Sequence, residues 1–199
     1  MFALPDPTGT ELQYWPGQLI LVVGPSGAGK DTLIDHAKNM LAGQNFSFPS
    51  RVVTRPSSSA EAHDSCTPDE FSDATRRGAF AVTWRAHGLD YAIPIAIEGA
   101  LRRGTTVVCN VSRAVVAELR NRYPRVRVVF VDAPLAVRIA RIQKRGGRSD
   151  SPDRARRAGD FDPSQADVVI DNGAALELSA RAFLNALRAV PPRSRSAAT

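Results

Sequence analysis

The sequence predicts an α/β fold of three layers, with a central parallel sheet covered by helices on both faces. Consecutive apolar residues at 18–23, 105–109 and 126–131 are typical of strands that are buried on both faces. They alternate with segments of helical period, such as 30–42 and 134–144. Buried strands that alternate with helices favour a parallel sheet.

The other elements are predicted from local patterns. In chain order they are a strand at 46–53, a polar loop at 57–65, a helix at 67–77, strands at 80–84 and 89–93, helices at 94–103 and 112–122, a strand at 168–170 and a helix at 174–190. The helix after Thr67 has the best-defined start, because a Thr cap is followed by Pro68 and by two acidic residues.

The chain of 199 residues is interpreted as a single domain, because this length suits one α/β unit with a modest insertion. The connection after residue 53 is long and carries elements of its own, so it is interpreted as an inserted subdomain. The predicted parts are a loose leader (1–17), a core (18–53 and 104–190), the insertion (54–103) and a disordered tail (191–199).

Composition limits the classes of partner. The net charge of +6 suits an anionic ligand, but no interleaved aromatic pattern indicates nucleic acid. Cys66 and Cys109 lie far apart and are expected to be reduced thiols. Neither a signal peptide nor an apolar run of about 18 residues is visible, so a cytoplasmic protein without a membrane partner is expected. No pattern indicates an oligomeric state.

A glycine-rich loop is the strongest motif. Its residues are Gly24, Pro25, Ser26, Gly27, Ala28, Gly29 and Lys30, which match G-x-x-x-x-G-K between a predicted strand and a predicted helix. The glycines allow a ring of inward N–H groups, and Lys30 can reach the β- and γ-phosphates. The loop, with the following Thr32, is therefore a predicted ATP site.

Asp31 departs from the common motif, which carries Ser or Thr after the lysine to ligate Mg²⁺. A carboxylate can hold Mg²⁺ directly or through water. The alternative is that Asp31 only caps the N-terminus of the helix. Both interpretations remain open on the sequence.

A series of arginines follows at helical spacing. Arg138, Arg141 and Arg145 fall on one helix face, and Arg148 follows Gly146-Gly147. Phosphoryl transfer requires fixed positive charge around the moving group. The segment 145–160 is therefore predicted to be a lid, with Arg141, Arg145 and Arg148 as catalytic candidates beside Lys30.

These motifs resemble the guanylate-kinase-like branch of nucleoside monophosphate kinases over residues 18–190. The resemblance is closer to the ribose 1,5-bisphosphate phosphokinase family, which serves phosphonate breakdown. It rests on Gly-Lys-Asp at 29–31, Arg-Val-Val-Thr-Arg-Pro at 51–56, Trp-Arg-Ala-His-Gly-Leu-Asp-Tyr-Ala-Ile-Pro at 84–94 and Asn-Val-Ser-Arg at 110–113. In that family Asp31 is expected.

The resemblance implies a three-layer P-loop kinase fold with an acceptor-binding insertion and an arginine-rich lid. It also implies transfer from ATP, with Mg²⁺, to ribose 1,5-bisphosphate. The substrate-binding candidates are Arg51, Thr54, Arg55, His87, Tyr91, Asn110 and Arg113. Trp84 is expected in the core.

Two alternatives remain on the sequence. One is a nucleoside monophosphate kinase that acts on GMP. However, Arg51 stands where guanylate kinases have a serine, and Val82-Thr83 stands where a base-reading Glu is expected. The other is an inactive binding module, against which the intact Lys30 and arginines argue.

Overall fold

The computed structural model describes residues 15–55, 63–144 and 162–189. The predicted lid at 145–160, with Arg145 and Arg148, and the predicted tail at 191–199 lie outside these residues.

Nine strands and six α-helices are described within these ranges. The strands are β1 (Leu19–Val23), β2 (Phe46–Ser47), β3 (Arg51–Val53), β4 (His63–Ser65), β5 (Phe80–Ala86), β6 (Leu89–Pro94), β7 (Thr106–Asn110), β8 (Val126–Asp132) and β9 (Val168–Asp171). The helices are α1 (Lys30–Met40), α2 (Pro68–Arg76), α3 (Ile97–Arg102), α4 (Val116–Arg122), α5 (Leu135–Lys144) and α6 (Leu176–Arg188).

The main sheet has five strands in the order β2-β7-β1-β8-β9, and every pair is parallel. Strand β1 is completely buried, and its side chains alternate between two apolar clusters. Leu19 and Leu21 pack with Leu101 of α3, whereas Ile20 packs with Phe183 of α6 on the opposite face. This alternation gives the three layers, so the predicted α/β fold is confirmed.

The strand order places β1 between β7 and β8. The chain leaves β1 for α1, while the connections into β7 and β8 pass over the other face of the sheet. In open α/β sheets, ligands bind outside the carboxyl ends of strands at such a switch point. The loops after Val23, Asn110 and Asp132 therefore define the expected position of a site.

A second sheet of four strands, in the order β4-β3-β6-β5, stands beside the first. Strands β5 and β6 form an antiparallel hairpin, and β3 adds to β6 antiparallel and to β4 parallel. The second sheet thus uses residues from both sides of the predicted boundary at residue 54.

Two predicted elements are corrected by this sheet. The single strand expected at 46–53 is divided: Phe46–Ser47 joins the main sheet and Arg51–Val53 joins the second sheet. Pro49 lies between them and has no N–H for a continuous ladder. The loop expected at 57–65 ends in strand β4, because its backbone pairs with β3 although its side chains are polar.

The start of the core is also corrected. The leader was expected to be loose to residue 17, but Trp15 is buried. Its ring meets the edge of Tyr123 at 5.6 Å between centroids, and the guanidinium of Arg102 lies 4.7 Å from its ring centroid. A large aromatic side chain packed in this way anchors the chain directly before β1.

Cys109 is buried in β7, as expected for a core thiol, and desolvation raises its pKa to about 12. Among the described helices, none combines the length and the apolar character needed to cross a bilayer.

Candidate active site

The glycine-rich loop joins the end of β1 to the start of α1, as the motif requires. Gly24 has a φ of 147°, and a Cβ there would lie 2.0 Å from the carbonyl oxygen of Val131 in β8. Only glycine allows this approach of loop and strand. Lys30 Nζ donates to the carbonyl oxygens of Gly24 at 2.8 Å and Pro25 at 3.0 Å. The lysine therefore crosses the mouth of the loop that it follows.

The loop forms one wall of a cleft at the carboxyl ends of the strands. The lining residues come from the loop and α1, from the second sheet, from the segment after β7 and from α5. They are Gly24, Pro25, Ser26, Gly27, Gly29, Lys30, Asp31, Arg51, Arg55, Trp84, Ala86, His87, Tyr91, Asn110, Val111, Ser112, Arg113 and Ile142. Most of the residues predicted from the sequence are thus brought together.

Asp31 lies where three parts of the site meet. Its Oδ1 accepts a hydrogen bond from Asn110 Nδ2 at 2.7 Å, and Arg51 Nη2 lies 3.7 Å from the same oxygen. Among the described residues, no side chain caps the N-terminus of α1. The carboxylate is therefore oriented across the cleft, toward β7 and the second sheet, rather than back onto its own helix.

The second sheet supplies the wall opposite the loop. Trp84 and Tyr91 face each other across β5 and β6, and their rings stack with centroids 5.5 Å apart. The two strands are joined at His87 and Gly88, whose φ values of 54° and 76° are typical of a tight hairpin turn. This turn holds His87 at the rim of the cleft.

Of the predicted residues within the described ranges, four do not line the cleft. Ala28 is buried beneath the loop and Thr32 is exposed on α1. Thr54 exchanges hydrogen bonds with the backbone of Asp90 at the end of the hairpin. Arg141 lies behind the loop, where Nη2 donates to Asn172 O at 2.9 Å and Nη1 to Ala28 O at 3.4 Å.

The sequence reasoning missed three residues at the site. Trp84 was expected in the core, but this half-buried side chain also lines the cleft. Ser112 lines the cleft and caps the turn after β7, since its Oγ accepts from Ala114 N. Asn172 lies beneath the loop, where its side chain donates to Ala28 O. Asn172 lies at the carboxyl end of a strand, and the same kind of position made Asn110 a predicted site residue.

The residues present fit a bound triphosphate with Mg²⁺. Among the described cleft-lining residues, Lys30, Arg51, Arg55 and Arg113 give four cationic side chains, against the single carboxylate of Asp31. The loop offers backbone N–H groups and the N-terminus of an 11-residue helix, both of which attract phosphate. Asp31 is a hard oxygen donor of the kind that Mg²⁺ prefers beside phosphate oxygens.

Comparison with known proteins finds relatives that match most of the chain. No protein-family model matches the chain. The chain is 44% identical over 176 residues to the ribose 1,5-bisphosphate phosphokinase PhnN of Bradyrhizobium diazoefficiens, covering 87% of this chain and 89% of the relative. It is 45% identical to the protein of the same name in Methylobacterium radiotolerans, with 83% and 95% covered. The corresponding Rhodopseudomonas palustris protein is 47% identical, with 79% and 81% covered.

Solved structures agree on the fold. The guanylate kinase of Anaplasma phagocytophilum superposes with a TM-score of 0.65 at 18% identity, covering 86% of this chain and 85% of that one. A gluconokinase of Sinorhizobium meliloti gives a TM-score of 0.50 at 20% identity, with 87% and 92% covered. At these identities the likeness shows the three-layer kinase fold alone.

Proposed function

This chain belongs to the ribose 1,5-bisphosphate phosphokinase family, and we propose that it is a kinase that converts ATP and ribose 1,5-bisphosphate to ADP and 5-phospho-α-D-ribose 1-diphosphate. One observation carries the proposal. The glycine-rich loop faces a wall of cationic and aromatic side chains from the second sheet across a single cleft. Such a cleft suits two anionic substrates that meet end to end.

On the donor side, the triphosphate of ATP lies in the glycine-rich loop. The N–H groups of the loop and the positive end of α1 hold its phosphates. Lys30 moves from the carbonyls of Gly24 and Pro25 to the β- and γ-phosphates, a short displacement of a flexible side chain. Its charge then offsets the charge that develops during transfer.

On the acceptor side, the sugar bisphosphate lies against the second sheet. Arg51 and Arg55 bind its 5-phosphate, because a guanidinium matches a phosphate with two parallel hydrogen bonds. Arg113, after β7, approaches the 1-phosphate, and His87 contacts the ribose from the rim. Tyr91 lies beneath these groups and is stacked on Trp84.

The chemistry needs little from the protein beyond position and charge. An oxygen of the 1-phosphate attacks the γ-phosphorus of ATP, the bond from that phosphorus to the β,γ-bridging oxygen breaks, and ADP leaves. The attacking oxygen is already anionic, so no general base is required. Mg²⁺ at this site would offset negative charge on the phosphates during transfer. Asp31 would hold it, with Asn110 fixing the carboxylate.

The second sheet also favours a sugar over a nucleotide acceptor. Val82 is buried in the core and Thr83 is exposed, in the region where the resemblance to guanylate kinases requires a base-reading carboxylate. Neither residue lines the cleft, whose described charged side chains are mostly arginines. Arg145 and Arg148, outside the described residues, remain predicted to close over the phosphates. Because the reaction consumes ATP, we place it in the cytoplasm.

An acceptor screen with ATP and Mg²⁺ tests this proposal. Ribose 1,5-bisphosphate, GMP, ribose 5-phosphate and ribose 1-phosphate are compared at equal concentration, with the product identified by ³¹P NMR. We expect turnover with the bisphosphate and a diphosphate signal from the product. The single phosphates test whether both ends of the sugar are required. A preference for GMP, or no turnover with any acceptor, would overturn the assignment.

A further inference from the structure

A buried asparagine is fixed directly beneath the glycine-rich loop. Asn172 follows β9 and is 2% exposed. Its Nδ2 donates to the carbonyl oxygen of Ala28 at 2.8 Å, and its backbone N–H donates to Asp132 O at 2.7 Å. Its own carbonyl oxygen accepts from Arg141 Nη2 at 2.9 Å. The backbone of Asn172 is therefore held by β8 and α5 while its side chain contacts the loop.

The close approach of Asn172 to the loop leaves room only for glycine at position 29. A Cβ at Gly29 would lie 2.3 Å from Asn172 Nδ2, which is far inside contact distance. Gly29 also has a φ of 88°, a conformation that other residues rarely adopt. The last glycine of the motif is thus required both by its own backbone and by the asparagine beneath it.

The planar peptide bond between Ala28 and Gly29 lets this contact fix the direction of the Gly29 N–H. The described chain has no cis peptide bond, so the C=O of Ala28 and the N–H of Gly29 point in opposite directions across one rigid plane. Donors that hold the carbonyl beneath the loop therefore hold the N–H on the opposite side. Asn172 Nδ2 and Arg141 Nη1 both donate to this carbonyl. Hydrogen bonds to the oxygen of a peptide also polarise its N–H and strengthen it as a donor.

We propose that Asn172 is a positioning residue that aims the Gly29 N–H into the phosphate cradle, with Arg141 supporting it. Asn172 reaches its target through the peptide and does not contact substrate. Its Oδ1 is buried and has no hydrogen-bond partner among the described residues, an arrangement that lowers stability. A residue retained only for packing would not need that unsatisfied oxygen. This inference rests on the proposed function, since it assigns the loop to ATP.

Asn172→Leu removes the donor and keeps the size of the side chain. The matched control is Tyr123→Phe, because Tyr123 is equally buried, donates a hydrogen bond to Glu98 Oε1 and packs in the cluster on the face of the sheet opposite Ala28. Affinity for a non-hydrolysable ATP analogue is measured by calorimetry, and the Gly29 amide is followed by ¹H–¹⁵N NMR.

We expect Asn172→Leu to bind the analogue about tenfold more weakly, because one oriented hydrogen-bond donor to phosphate is lost. We also expect the Gly29 amide signal to be displaced. Tyr123→Phe should keep the affinity and the Gly29 amide signal at their wild-type values. If folded Asn172→Leu binds the analogue as tightly as the wild type, the inference is wrong.

If Asn172→Leu does not fold, Arg141→Met removes the second donor to the same carbonyl from a half-buried position. Its Gly29 signal and its affinity should change in the same direction, and wild-type values of both would overturn the proposal. Failure of the wild-type protein itself to bind the analogue would contradict the proposed function instead.

Discussion

The side-chain amide of Asn110 donates a 2.7 Å hydrogen bond to the carboxylate of Asp31 and so ties the carboxyl end of β7 to the first turn of α1. Asn110 is the last residue of β7, and Asp31 is the second residue of the helix that follows β1. The bond directs the only carboxylate among the described cleft-lining residues toward the position where two phosphate chains would meet.

Asn110→Leu should weaken the binding of Mg²⁺ by Asp31. Without the amide donor, Asp31 is no longer fixed, and we expect the Mg²⁺ concentration for half-maximal turnover to rise about tenfold. The measurement is an Mg²⁺ titration of turnover. Asn45→Leu is the control, since Asn45 makes a similar bond to Gly104 O on the exposed surface. An unchanged Mg²⁺ dependence in both Asn110→Leu and Asp31→Asn would refute the metal assignment.

Lys30→Met should abolish most of the turnover without unfolding the protein. We expect a fall in kcat of about a hundredfold or more, because a preorganised charge at the transferred group is lost. Lys38→Met is the matched control, because Lys38 lies exposed in the last turn of the same helix. Near-normal turnover by Lys30→Met would rule out the assigned role.

Arg51→Met should act on the acceptor more than on ATP. Loss of a charged hydrogen-bond donor to phosphate is expected to raise KM for the acceptor about tenfold to a hundredfold. Initial rates are measured while each substrate is varied in turn. Arg76→Met, on the exposed face of α2, serves as the control. Equal effects on both substrates would indicate that Arg51 acts through Asp31 rather than on the acceptor.

The start of α2 should make stability depend on pH. Glu70 and Thr67 form a reciprocal capping box, and hydrogen bonds from the backbone and side chain of Thr67 lower the pKa of the Glu70 carboxyl. A carboxyl whose pKa is lowered on folding stabilises the fold when pH is above its unfolded-state pKa. This contribution disappears as pH falls through the folded-state pKa.

The free energy of unfolding should therefore be lower for Glu70→Gln than for the wild type at neutral pH. The difference should shrink as pH falls below the ordinary glutamate pKa of 4.5 and through the lowered folded-state pKa, because the wild-type carboxyl then also becomes protonated. Urea titrations from pH 7 to pH 3 give this difference. Asp69→Asn, in the same helical turn, controls for the general effect of a negative charge there. A difference that does not change with pH would show that the box does not act through ionised Glu70.

The glycine-rich loop was predictable because its information is local. Its spacing, the strand before it and the helix after it lie within about 25 consecutive residues, and burial and dihedral preferences act over that range. The same holds for the capped start of α2 and for the buried strands of the main sheet. The structure confirms these elements nearly at the predicted bounds.

The surroundings of the loop were not predictable in this way. Arg141 lies on the predicted helix face, yet it contacts Ala28 and Asn172 behind the loop rather than lining the cleft. Helical spacing gives the face of a side chain, but the position of α5 beside the loop and the ends of β8 and β9 decides what that face meets. Asn172, 144 positions from Ala28, was missed for the same reason.

The sequence by itself determined the layered fold, the phosphate loop and most of the residue types at the cleft, because these follow from short patterns of burial, backbone freedom and charge. Tertiary structure alone decided which of those residues meet. Asp31 and Asn110 are 79 positions apart, and they are neighbours because β1 and β7 pair in the sheet. Sheet order joins distant segments through backbone hydrogen bonds that any side chain allows, so no local pattern records it.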